Sequence, residues 1–215
     1  MATILVYNQS TNRIEKYERG LNEAMPYVTG KTLTVGEFQG SSGSDLIWTT
    51  KAFMEAWNSL RRQWGKPIYV GYAFKRIWQG GHSGMSQHYA GLAMDTAQTF
   101  SNADRNRLRQ LAIDSRLFTY VEPKVLTPTW VHFDKRYGTP ACSTGGYPLI
   151  KQGTRGVYVM VLQDALNYLG YNTGTIDGIF GTKTRNAVIS FQRANGLSAD
   201  GIVGCATWRR LTNKF

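Results

Sequence analysis

Histidine and cysteine are scarce in this 215-residue chain, with three of the first and two of the second. Two cysteines, Cys142 and Cys205, are too few for a disulfide framework or a cysteine-rich zinc site, and two small unpaired residues are expected. No apolar run approaches the ~18 residues that cross a bilayer, so membrane insertion is not expected. The opening "MATILVYNQSTNRIEKY" lacks a basic segment followed by a sustained apolar run, so synthesis in the cytoplasm without a signal peptide is expected. Acidic residues are also few, 14 against 25 Lys and Arg, for a net charge of +11. The surplus is spread, with 17 basic and 11 acidic residues through Tyr147 and 8 and 3 after it. Such a charge suits polyanionic surroundings: nucleic acid, anionic lipid, or a bacterial wall bearing phosphate polymers. No zinc-finger or helix-turn-helix signature and no basic stripe is present, so nucleic acid is not expected as a partner. What the chain has in quantity is apolar: 42% hydrophobic and 13% aromatic residues, the composition of a folded globular protein.

"ILVYNQSTNRIEKY" reads as two short strands joined by a polar turn. "GKTLTVGEFQGSSGS" is rich in Gly, Ser and Thr and reads as irregular. In "TTKAFMEAWNSLRRQWG", Phe53, Trp57, Leu60 and Trp64 recur on one helical face, with Thr49 or Thr50 to cap the start and Gly65 to end it. "PIYVGYAF" reads as a strand. A second helix is expected over 102–115, with Leu108, Leu111 and Ala112 inward. "LFTYVE" and "TWVHFD" are strand candidates around "PKVLTP", a hairpin. Helices and mostly antiparallel strands in this order suggest an α+β domain over residues 1–138. "YGTPACSTGGYP" is turn-rich and apolar-poor, and a linker is placed at 139–147.

Residues 148–215 read differently. "DGIFGTKT" begins at Asp177 and "DGIVGCAT" at Asp200, 23 residues later. Asp-Gly makes a tight turn, and the Thr of each copy falls near a helix start, where its hydroxyl can satisfy free amides. Helical patterns follow each copy, and Val157, Val161, Leu162, Ala165, Leu166 and Leu169 mark a third amphipathic helix upstream. With "LIKQGTRGVYVMVLQDALNYLGY", "DGIFGTKTRNAVISFQ" and "GLSADGIVGCATWRRL", the segment resembles the three-helix peptidoglycan-binding domain of wall hydrolases. The resemblance implies adhesion to peptidoglycan, not catalysis.

All three histidines, His82, His88 and His132, lie in the first domain. "SQHYAGLAMD" resembles the first metal motif of the M15 peptidases, the zinc D-alanyl-D-alanine peptidases and their phage endolysin relatives. "WVHFD" resembles the second, and the likeness covers roughly residues 50–137. Residue by residue, it implies His88, Asp95 and His132 as ligands of one Zn²⁺ per chain. Two imidazoles and one carboxylate leave a fourth zinc position open for water, whose pKa zinc can lower to about 7. Gly91 suits the sharp turn that brings His88 and Asp95 together. His82, in the glycine-rich "QGGHSGM", reads as a rim residue.

The general base departs from the pattern. Relatives place Asp or Glu three residues before the last histidine ligand, where this chain has Thr129. Asp134, two residues after His132, shares its face in a strand. Glu122, across the hairpin, falls opposite Thr129 or Trp130 if the loop centres on Val125 and Leu126. Glu122 is preferred as base, with Asp134 as partner of a ligand or alternative base. A cation is expected to hold a substrate carboxylate or oxyanion. In "VGYAFKRIW" that is assigned to Arg76, whose planar fork grips carboxylates. Ser86 either donates to substrate or shapes its loop.

The expected architecture is an α+β zinc peptidase domain, an antiparallel sheet with helices, followed by a small all-α three-helix domain. The expected function is zinc-dependent cleavage of peptidoglycan stem-peptide bonds such as D-Ala-D-Ala or L-Ala-D-Glu by a monomer of the endolysin kind. It would reach the cell wall after lysis or through a pore. The alternative is a non-catalytic wall-binding protein with a degenerate peptidase domain.

Overall fold

A computed structural model describes all residues, 1–215. Strand β1 (Ala2–Asn8) pairs antiparallel with β2 (Arg13–Arg19) and parallel with β3 (Leu46–Thr50), giving the order β2-β1-β3. The central strand is the apolar one, as a strand covered on both faces must be. The stretch between β2 and β3 is less irregular than its composition implies. Thr34 and Glu37 form a reciprocal capping box that starts helix α1 (Val35–Gln39), because each side chain satisfies a backbone N–H at the helix start.

Helix α2 (Lys51–Trp64) has the expected caps: the Thr50 hydroxyl accepts from the Phe53 N–H at 3.2 Å, and Gly65 closes the helix in a left-handed conformation. Phe53, Trp57 and Leu60 are fully buried, while Trp64 stacks on Phe100 at the margin.

The second sheet, order β4-β5-β7-β6, is antiparallel throughout and carries the candidate site. It comprises β4 (Val70–Tyr72), β5 (Ala93–Thr96), β6 (Tyr120–Val121) and β7 (Val131–Asp134). Helix α3 (Asn102–Asp114) covers it with Leu108, Ala112 and an unexpected guest, buried Arg109. Leu111 packs only at the edge.

The segment placed as a linker is itself folded. Strands β8 (Pro140–Cys142) and β9 (Gly145–Pro148) form a hairpin. Cys142 is joined by a disulfide to Cys205, with Cα atoms 4.9 Å apart, which corrects the expectation of unpaired thiols. Counting cysteines limits the number of bridges to one; it says nothing about whether the fold brings the pair together.

Helices α4 (Val157–Tyr168), α5 (Thr182–Ala194) and α6 (Cys205–Thr212) complete the three-helix unit. Its two Asp-Gly turns share one design. Asp177 and Asp200 each accept from the N–H two residues on, at 2.9 and 2.8 Å. A buried glutamine amide, Gln163 in one copy and Gln192 in the other, donates to the Asp carboxylate, to the Ile carbonyl and to the Thr hydroxyl. Thr184 and Thr207 therefore serve these glutamines, and no side chain caps either helix.

The two halves do not stand apart. One hydrophobic cluster of 47 buried residues runs through both. Across the seam, Asp164 of α4 receives two hydrogen bonds from Arg76.

Candidate metal centre

Gly91 holds the turn on which the centre depends. Its φ of +65° is left-handed, and a Cβ there would lie 1.9 Å from the Trp48 carbonyl oxygen. Only glycine tolerates both conditions. The turn is pinned to β3 by the Thr49 hydroxyl, which donates to the Gly91 carbonyl at 2.7 Å, and by the Trp48 indole, which donates to the Tyr89 carbonyl at 2.9 Å. His88 enters from this turn, Asp95 from β5, and His132 from β7, directly paired with Asp95 in the sheet.

The three side chains converge. His88 Nε2 lies 3.5 Å from Asp95 Oδ1, and His132 Nδ1 lies 2.7 Å from the same oxygen. One donor atom from each falls within 4.8 Å of the others. The far nitrogen of each ring has a second partner. His88 Nδ1 donates to the Ala73 carbonyl at 2.8 Å, leaving its Nε2 lone pair toward Asp95. His132 Nε2 lies 3.6 Å from Asp134 Oδ2. Such outer partners orient the imidazoles of metal sites.

The electrostatics favour a cation. Burial pushes the Asp95 carboxyl up, but the hydrogen bond from His132 and the neighbouring His88 ring outweigh it and hold the group well below the usual carboxylate range. Burial likewise pushes His132 down, but Asp134 and Asp95 prevail and raise it to about 9. A pocket whose carboxylates favour an imidazolium so strongly favours a bound cation for the same reason. The two-histidine, one-carboxylate donor set fits zinc. His82 is more than a rim residue: it is half-buried, stacked on His88 with ring centres 4.6 Å apart, and burial pushes it down to about 4.

These groups line a cleft of about 350 Å³ together with Ser86, Glu122, Trp130, Asp134 and Arg136. The Glu122 N–H donates to the His132 carbonyl at 2.9 Å, which places Glu122 opposite His132 and not opposite Thr129 or Trp130. The hairpin loop is longer than a turn centred on Val125 and Leu126 allows, because Arg109 gathers it. Its guanidinium donates to the carbonyls of Glu122, Thr127 and Trp130. The Glu122 carboxylate makes no ion pair. Asp134, by contrast, is fully buried and gripped by both arms of Arg136, which hold it below its ordinary range despite burial. The Ser86 hydroxyl accepts from the His88 N–H at 3.3 Å, a loop-shaping contact.

Arg76 lies outside this cleft. It pairs with Asp164, its Nε at 2.9 Å, and also donates to the Ser44 hydroxyl at 3.2 Å. Burial pushes the Asp164 carboxyl up, against the pull of Arg76. The guanidinium at the metal centre is Arg136, over the Tyr120 ring. The signal for it was the alternation already used for Asp134: positions 132, 134 and 136 share one face.

Residues 155–211 match the model of the peptidoglycan binding domain family. The chain is 53% identical over 53 residues to the N-acetylmuramoyl-L-alanine amidase CwlM of Mycobacterium tuberculosis, a match covering 25% of this chain and 13% of that protein. It is 41% identical over 63 residues to a spore cortex-lytic enzyme of Bacillus cereus, covering 29% of this chain and 24% of the enzyme. Among solved structures, an endolysin of the Burkholderia phage AP3 is 42% identical at a TM-score of 0.31, over 32% of this chain and 26% of the endolysin. The chain thus spans a minor part of each of these relatives. Its C-terminal region, residues 155–211, is a peptidoglycan-binding domain.

Proposed function

We propose that this chain is a zinc-dependent peptidase that cleaves stem-peptide bonds of peptidoglycan, held on its substrate by the C-terminal domain. The observation that carries the reading is the convergence of His88, Asp95 and His132 at the floor of a polar cleft that also presents an unpaired Glu122. Zinc, when bound by these three residues, supplies a Lewis acid that activates water and polarises a carbonyl.

The chain's own residues do the rest. The Ala73 carbonyl fixes the His88 imidazole, and the Asp134 carboxylate lies beside that of His132. Glu122 takes the proton of the attacking water and returns it to the leaving amine, the work of a positioned carboxylate near its proton donor. Asp134 is unsuited to that role because Arg136 occupies both its oxygens. Arg136 supplies positive charge beside the cleft for a substrate oxygen. The relatives' names, an amidase and cortex-lytic enzymes, support a wall-hydrolase role and leave the choice of bond to the first domain.

The test is mass spectrometry of muropeptides released from purified sacculi, with and without a zinc chelator. A new, chelator-sensitive peptide end is the expected result, and its mass names the bond. Intact stem peptides across several wall chemotypes, with protein still bound, overturn the peptidase reading in favour of wall binding alone.

A further inference from the structure

The metal cleft does not end at the first domain. A second cavity of about 310 Å³ adjoins it, sharing Ser83, Met85 and Gly146, and continues over the β8–β9 hairpin to Arg209 and Asn213 at α6. The seam between them has no room to spare. A Cβ on Gly146 would meet Met85 Sδ at 2.6 Å, and one on Gly84 would meet the Thr212 Cβ at 2.8 Å. The disulfide from Cys142 to Cys205 ties the hairpin to the first residue of α6. The two cavities therefore adjoin across a shared wall of Ser83, Met85 and Gly146, and the second is built from both domains.

Charge divides between the two cavities. The metal end carries Asp95, Glu122 and Asp134, the last paired with Arg136. The α6 end has no acidic lining residue, and its one cation, Arg209, is exposed, donates to the Thr144 hydroxyl at 3.1 Å and pairs with no carboxylate. A ligand with its scissile amide at the metal end meets a free guanidinium where it leaves across Gly146. Arg recognises carboxylates through two parallel hydrogen bonds.

We propose that the α6 cavity is a substrate subsite for a carboxylate borne by the same peptide, so that the peptidoglycan-binding domain orients the scissile segment as well as holding the wall. The nature of the ligand rests on the peptidase reading above. Arg209 and the Thr144 hydroxyl bind the carboxylate, and the disulfide holds their spacing to the metal centre.

Isothermal titration of the full chain under chelation, where no bond is cut, tests this with two soluble peptides. One is L-Ala-D-Glu-L-Lys-D-Ala-D-Ala; the other carries amides in place of both the free D-Glu carboxylate and the C-terminal carboxylate. The expected result is about tenfold tighter binding of the acid than of the amide. Arg209→Ala erases that ratio, Arg209→Lys keeps part of it, and both variants keep the melting temperature of the parent. An acid-to-amide ratio unchanged by Arg209→Ala, or no binding of either peptide, overturns the subsite. An Arg209-dependent ratio without chelator-sensitive cleavage of sacculi leaves the subsite standing and overturns the peptidase reading.

Discussion

Glu122 and His132 face each other across the β6–β7 hairpin, joined by the Glu122 N–H and the His132 carbonyl at 2.9 Å. Opposed residues of an antiparallel pair project to the same face, so a carboxylate stands beside a candidate ligand although Thr129 holds the position where the M15 resemblance would put the base. Glu122→Gln preserves shape and removes the basic oxygen. It is expected to lower the release of muropeptides by about 10²–10⁴-fold while zinc per chain, by elemental mass spectrometry, stays at the parental level. Near-normal turnover removes Glu122 from the role.

Arg109 is the strut of that hairpin. With 6% exposure and three main-chain carbonyls on its guanidinium, its loss leaves buried acceptors unpaired. Arg109→Leu is expected to cost about 3 kcal/mol in urea unfolding and to lower activity along with it. Arg109→Lys, a point donor in place of a fork, falls between. Unchanged stability in the leucine variant refutes the strut.

Arg76 and Asp164 cross the seam with side-chain exposures of 12% and 3%. Removing one partner of a buried pair strands the other charge, so Arg76→Met should destabilise by about 3–5 kcal/mol. The double variant with Asp164→Leu should recover most of that loss. A double variant no more stable than the single one means the pair is not the source of the effect.

The disulfide closes a loop with a sequence separation of 63, and restricting a loop of that length stabilises by roughly 4 kcal/mol in the chain-entropy picture. Cys142→Ser should melt below the parent, and dithiothreitol should bring the parent down to the variant while leaving the variant unmoved. Equal melting in all four samples overturns the contribution.

Glu15 gives the fold an acid-sensitive hold. Burial pushes its carboxyl up, but hydrogen bonds from Tyr27, Asn8 and Tyr17 outweigh it and bring it below its ordinary 4.5. A lowered folded-state pKa adds stability above the unfolded value that is lost as pH falls through the folded one. The melting-temperature gap between parent and Glu15→Gln should therefore be full at pH 7 and shrink as pH falls below 4.5, through the lowered folded-state value. A gap that persists in acid contradicts the linkage.

Local rules reached far into this chain. Helix α2 was legible from Phe53, Trp57 and Leu60 with Thr50 and Gly65 at its ends, because spacing and caps act within a few residues. His88, Asp95 and His132 were grouped by the resemblance of "SQHYAGLAMD" and "WVHFD" to the M15 metal motifs, and the left-handed turn at Gly91 with the pairing of β5 and β7 is what brings them together. What escaped was settled across distance. Arg76 reads as a free cation until α4 brings Asp164 to it from 88 positions away. The register of Glu122 depended on Arg109, a charge on a helix whose pattern names only apolar residues as inward. Helix α1 was hidden because capping by Thr34 and Glu37 outweighed a glycine- and serine-rich composition.

The Cys142–Cys205 bond also changes what a protease can do to the molecule. Any single cut between residues 143 and 204 falls inside the closed loop, so both fragments stay on one covalent body. An exposed site such as Tyr168 can be nicked without releasing the C-terminal helices from the cleft-bearing half. Damage of that kind stays silent on a non-reducing gel and becomes visible only when the sulfur–sulfur bond is opened.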